Sequence, residues 1–181
     1  VRDRGAKPEA DLGPDAGFEF LARARLPALY RLALLLTGND LDAEDLTQAT
    51  LTKALASWSS VRKAQEPAAY LTTIMVNTSR SWRRRLLQER ALMPDPGHDV
   101  SGDSDTVEHR RDLVSALVDL PARQRLAVVL RYCLDMSEGE AARILQCSPA
   151  TVRSQASRGI AKLRAHPALA DFSACQGKAW S

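Results

Sequence analysis

Apolar residues recur at three- and four-residue spacing along most of the chain, and no strand-like alternation of polar and apolar positions persists beyond a few residues. The pattern predicts an all-α protein. Phe18 to Leu36 forms a long apolar helix stopped at Thr37, Gly38 and Asn39. Asp42 is the expected N-cap of the next helix, with Asp45 three positions on as in a capping box and Leu51, Leu55 and Trp58 as its apolar ridge. A polar loop beginning at Ser59 ends at Pro67, a residue that opens a helix without losing a hydrogen bond. That third helix is expected to reach Arg85 or beyond, with Leu71, Ile74, Met75, Thr78 and Trp82 on its inner side.

In the second half Leu113, Ala116, Leu117 and Leu120 keep helical spacing up to Pro121, and Leu126, Val129, Leu130 and Cys133 repeat it. Ser137-Glu138-Gly139-Glu140 has the form of a capping box and starts a helix that carries Ala141, Ala142 and Leu145 and ends near Gln146. Ser148 is a good N-cap and Pro149 a good first helical residue, so a last helix begins after a turn of about three residues. This is the punctuation of a helix-turn-helix. Gln146 is the misfit, because glycine takes a left-handed turn position more easily.

Polar stretches divide the chain. Residues 1–15 read as a disordered N-terminus and 91–108, rich in proline, glycine and acids, as a flexible acidic linker. Two small helical domains are therefore expected, 16–90 and 109–166, with a C-terminal tail over 167–181. In a chain of 181 residues, 45% apolar content is enough to give each a core.

Charge sharpens the picture. The net charge of +3 hides a basic block at Arg80–Arg90 and an acidic one at Glu89–Asp112, where seven acids stand against three arginines. Cys133, Cys147 and Cys175 are odd in number and have no metal-ligand spacing, which predicts buried thiols in a reducing compartment and no disulfide, zinc or other cofactor. No apolar run approaches a membrane span and the first residues hold no apolar signal core, so a soluble cytoplasmic protein without membrane insertion is expected.

Two helix faces carry candidate chemistry. On the third helix Thr73, Asn77, Arg80 and Arg84 form a straight polar-to-cationic stripe opposite the core side. On the last helix Val152, Ala156, Ile160 and Leu163 face inward, whereas Ala150, Arg153, Ser154, Ser157, Arg158 and Ala161 face outward. A helix entering a groove about 12 Å wide needs small residues for close approach and a few long donors. Ala150, Ser154 and Ser157 give clearance, Arg153 is long enough to reach a guanine edge, and Arg158 with Lys162 can neutralise phosphates. No acid stands on the stretch from Ser148 to Arg164.

With these motifs the chain resembles the extracytoplasmic-function sigma factors of bacterial RNA polymerase, of the sigma-E-like actinobacterial type. Asp42–Leu55 looks like the polymerase-binding helix of sigma region 2, Glu66–Arg85 like its helix for melting and reading the −10 element, and Asp119–Arg164 like region 4. The resemblance implies a region 2 helical bundle and a region 4 helix-turn-helix, with core RNA polymerase and promoter DNA as partners. It implies that Asp45 and Gln48 meet the β′ coiled coil, with Ala49 standing where the family usually has an acid, and that region 4 meets the β flap. It assigns −10 contacts to Arg62, Lys63, Asn77, Arg80, Arg83 and Arg84, and −35 contacts to Thr151, Arg153, Ser154, Ser157, Arg158 and Lys162. An anti-sigma factor is a further partner that it admits.

Two other functions are open to the same residues. A DNA-binding regulator that never joins polymerase would use the helix-turn-helix but leave the Asn77–Arg84 stripe and the Asp45/Gln48 helix unexplained. An enzyme finds no support: His98, His109 and His166 read as isolated surface residues without a nucleophile or metal partner, and no glycine-rich phosphate loop is present.

Overall fold

The computed structural model describes residues 14–90 and 105–169, and the side chains of residues 17–81 and 111–169. Residues 1–13, 91–104 and 170–181, which include most of the expected disordered N-terminus, linker and tail, lie outside the described residues. All regular elements described are helical: α1 (Pro14–Thr37), α2 (Asp40–Ala56), α3 (Trp58–Val61), α4 (Pro67–Arg90), α5 (Asp105–Asp119), α6 (Ala122–Val128), α7 (Glu138–Leu145) and α8 (Pro149–Arg164). A π-helical turn, Val129–Cys133, continues α6, and a short 3-10 turn, Pro167–Leu169, follows α8. Among the described residues no helix is long and apolar enough to cross a membrane.

In the first half α1 packs on α2 and α2 on α4, burying Leu32, Ala33, Ala43, Leu46, Ala54, Leu71 and Met75. The break between α1 and α2 is as expected, but its chemistry differs. Gly38 takes φ +95°, and the N-cap of α2 is Asn39, whose Oδ1 accepts from Asp42 N at 2.8 Å while its Nδ2 donates to Asp42 Oδ2. Asp42 is thus the partner of the cap, not the cap, because the turn is tight enough for α2 to start at Asp40. Leu55 corrects the expected ridge: it is 48% exposed, and the buried side of α2 is instead Ala43, Leu46, Thr47, Thr50 and Ala54. Thr47 and Thr50 hide there because each hydroxyl donates to the carbonyl four residues earlier.

In the second half α8 lies across α6 and against α7. Gly159 permits the α6 approach, since a Cβ there would stand 2.6 Å from Val128 Cγ2 and 3.4 Å from Gln124 O. The π-helical turn shifts the register after Val129, and Cys133, expected inside, is exposed; Cys147 is half-buried, and Cys175 lies outside the described residues. Helix α5 begins at Asp105, inside the stretch read as linker, just as α1 begins inside the stretch read as a disordered N-terminus. His166 is no isolated surface group. Its Nδ1 accepts from Ala168 N, so Nε2 carries the proton directed at Asp119 3.1 Å away, tying the end of α8 to the end of α5.

The two halves touch. Arg125, 4% exposed, donates to the carbonyls of Val118 and Leu120 at the end of α5 and of Leu36 at the end of α1. One guanidinium thereby serves carbonyls that helix ends leave without intrahelical donors. Gly38 lies so close to Val118 that no side chain fits between them.

Candidate nucleic-acid and polymerase interfaces

The helix-turn-helix is built from its caps. Ser137 Oγ accepts from Glu140 N and the Glu140 carboxylate accepts from Ser137 N at 2.8 Å, the reciprocal pair expected. These bonds, the Ser137 hydroxyl foremost, hold Glu140 below the usual carboxylate range. Gln146 ends α7 at φ 54° and ψ 49°, so a glutamine does occupy the left-handed turn position. Ser148 caps α8 through Thr151 N, and its hydroxyl lies 2.9 Å from that of Thr151. Thr151 is therefore part of the cap as well as an exposed residue at the helix start.

Packing then fixes which way α8 faces. Val152, Ala156, Gly159 and Leu163 are buried and Ile160 is half-buried, leaving Ala150, Thr151, Arg153, Ser154, Ser157, Arg158, Ala161 and Lys162 exposed. The exposed face carries the clearance and the cations expected of it. Reading α8 alone, however, misses an acid. Glu138, the first residue of α7, accepts from Arg153 Nε at 2.9 Å and from Arg153 Nη2 at 2.6 Å. The Arg153 hydrogen bonds draw the Glu138 pKa down, with the charges of Arg153 and Arg131 adding to the effect, and Arg153 is raised in return. No periodicity signals this pair, because its partners are fifteen residues apart on different helices.

On α4, Thr73 is half-buried with its hydroxyl bonded to Ala69 O, and Asn77 is exposed. Arg80 is half-buried and donates through Nη2 to Leu145 O at 2.9 Å, at the C-terminal end of α7. A cation is favourable at such an end, where the carbonyls lack helical partners. Arg83, Arg84 and Trp82 lie on described helix but their side chains lie outside the described residues. Arg62 and Lys63 are exposed just after α3, which turns the start of the expected loop into a short helix. Tyr70 packs on the core.

On α2, Asp45 and Gln48 are both exposed. Leu41, 72% exposed, and Leu55 join them within an arc of about 80° on the helix, which makes a mixed apolar and polar face rather than a polar one. The sequence does not mark either leucine as a contact, since an apolar residue at helical spacing reads first as core.

Sigma-70 region 2 matches residues 21–88 and sigma-70 region 4 matches 110–163. The RNA polymerase sigma-E factor of Streptomyces avermitilis is 37% identical over 150 residues, covering 81% of this chain and 83% of its own. That of Streptomyces coelicolor is 33% identical over 164 residues, covering 90% and 93%. Among solved structures, the sigma factor RpoE of Bartonella quintana, in complex with the anti-sigma factor NepR, has 31% identity and a TM-score of 0.69 over 82% of this chain and 95% of that one. The chain belongs to the RNA polymerase sigma factors that direct promoter-specific transcription, in the extracytoplasmic-function group of sigma-E type.

Proposed function

We propose that this sigma factor holds core RNA polymerase through the exposed face of α2, with Asp45 and Gln48 against the β′ coiled coil, and reads a two-part promoter with two other helices. The exposed side of α8, with Arg153, Arg158 and Lys162 set among Ala150, Ser154 and Ser157, reads the −35 element. Thr151 serves a phosphate at the helix start. Asn77 and Arg80, with Arg83, Arg84, Arg62 and Lys63, serve the −10 element and the strand separated there. The observation that carries the reading is the outward face of α8: small residues and long cations on a helix whose opposite side is packed against α6 and α7. Its role is binding and placement, with no catalytic step of its own, and work with core polymerase assigns it to the cytoplasm. By likeness to the Bartonella quintana complex, an anti-sigma factor is a further partner.

Run-off transcription from genomic fragments with purified core polymerase tests this. The chain is expected to confer initiation, and Arg153→Ala to weaken promoter binding by about 1–3 kcal/mol with relaxed preference in the upstream element. Asn77→Ala and Arg80→Ala are expected to impair use of the downstream element while polymerase pull-down is unchanged. Failure to start transcription on any template, with the chain folded, overturns the assignment of these faces.

A further inference from the structure

The Glu138–Arg153 pair has a geometry that a solvated surface ion pair does not need. Nε and one Nη2 hydrogen of Arg153 meet the two oxygens of Glu138, so the carboxylate takes one complete edge of the guanidinium. A guanidinium has five N–H donors in a fixed plane. The remaining edge, made by Nη1 and the other Nη2 hydrogen, points away from Glu138, and the Arg153 side chain is 71% exposed against 26% for Glu138. Two parallel N–H donors on one guanidinium edge are what O6 and N7 of a guanine accept in the major groove.

The carboxylate is itself anchored. Glu138 stands in the first turn of α7, where negative charge is favoured, and the charge of Arg131, which donates to Met136 O, adds to the effect. We propose that Glu138 is a positioning residue for upstream-element recognition, gripping one edge of Arg153 so that the opposite edge is presented to a guanine. This rests on the reading of α8 given above. Much of the ordering of the long arginine is then done on folding rather than on DNA, which favours the base that fits the presented edge. Glu138 has a second effect of known sign: its charge opposes phosphate, so it weakens binding to duplexes in general.

The test uses holoenzyme made from the full chain and core polymerase, with a promoter library randomised across the upstream element. Arg153→Ala is expected to abolish a guanine preference at one position. Glu138→Gln, nearly isosteric but uncharged and with an NH2 donor in place of one acceptor oxygen, should cut that preference about 3- to 10-fold, leave the other positions unchanged, and raise binding to an unrelated duplex. In the Arg153→Ala background Glu138→Gln should have no further effect at that position. A merely structural Glu138 would weaken all positions together and lower the melting temperature, and that outcome overturns the proposal. So does a guanine preference that survives Glu138→Gln but not Arg153→Ala. If Arg153→Ala itself leaves the profile intact, the reading of α8 falls first and the positioning role with it.

Discussion

Replacing Gly38 by alanine asks whether the two halves of the chain dock in solution. Gly38 has φ +95°, and a Cβ there would lie 3.4 and 3.5 Å from Val118 Cβ and Cγ1 and overlap Cγ2 outright. Two costs are separable. The positive φ costs an L-residue about 1–2 kcal/mol however the halves are arranged, whereas overlap with Val118 adds about 1–3 kcal/mol and exists only while α5 lies against the α1–α2 turn. Gly38→Ala should therefore destabilise the full chain by about 2–5 kcal/mol. Val118→Ala removes two methyls from a half-buried side chain and should cost about 1 kcal/mol alone. In the Gly38→Ala background it relieves the overlap, so the double-mutant cycle should show a favourable coupling of about 1 kcal/mol or more. Urea unfolding of the four proteins, followed by circular dichroism at constant slope, reads these values. Additive effects, with Gly38→Ala costing only about 1–2 kcal/mol, would mean that the halves do not dock.

Other outcomes probe the helix-turn-helix. Gly159→Ala gains about 1 kcal/mol of helix propensity but sets a Cβ 2.6 Å from Val128 Cγ2 and 3.4 Å from the unyielding Gln124 carbonyl; overpacking of about 1–3 kcal/mol outweighs the gain, and a raised melting temperature would refute the close approach. Ser137→Ala should cost about 1 kcal/mol by removing the cap of α7, measured by thermal unfolding. Glu140 has its pKa lowered in the folded chain, so its contribution is fully present above the ordinary glutamate value of about 4.3 and is lost as pH falls through the lower folded value. The stability advantage of the native chain over Glu140→Gln should accordingly vanish in acid, and a constant difference from pH 7 to pH 3 would contradict it.

The elements most legible in the sequence were those with local punctuation. Ser137 with Glu140, and Ser148 before Pro149, announce the starts of α7 and α8 because a cap is decided within four residues. The outward residues of α8 could be read for the same reason, since a single helix wheel sorts them. Where tertiary contact decides, the wheel misleads. Leu55 is apolar yet stands exposed, because the side of α2 that packs is the one carrying Ala43, Leu46, Thr50 and Ala54, and Leu55 lies about 100° round the helix from Ala54. Cys133 fell on the wrong side when a π-turn advanced the register, and neither Arg125 nor Glu138 carries a signal in its own helix for the distant groups it serves.

Helix α7 is gripped at both ends by arginines from the two proposed reading surfaces. Arg80 of α4 donates to the Leu145 carbonyl at one end, and Arg153 of α8 holds Glu138 at the other, about 10 Å away along the axis. The two bonds differ in what DNA can do to them. A phosphate is a charged acceptor and outcompetes a neutral carbonyl for Arg80. Arg80 is half-buried against the other half of the chain, so it offers a phosphate less of its guanidinium while the halves are docked than it would once they separate. Arg153 is already on a charged acceptor through one edge of its guanidinium, so on the proposed reading it meets a base without leaving Glu138. On the proposed reading, separation of the two halves therefore favours use of Arg80 on DNA, whereas the outward face of α8 is exposed while the halves are docked.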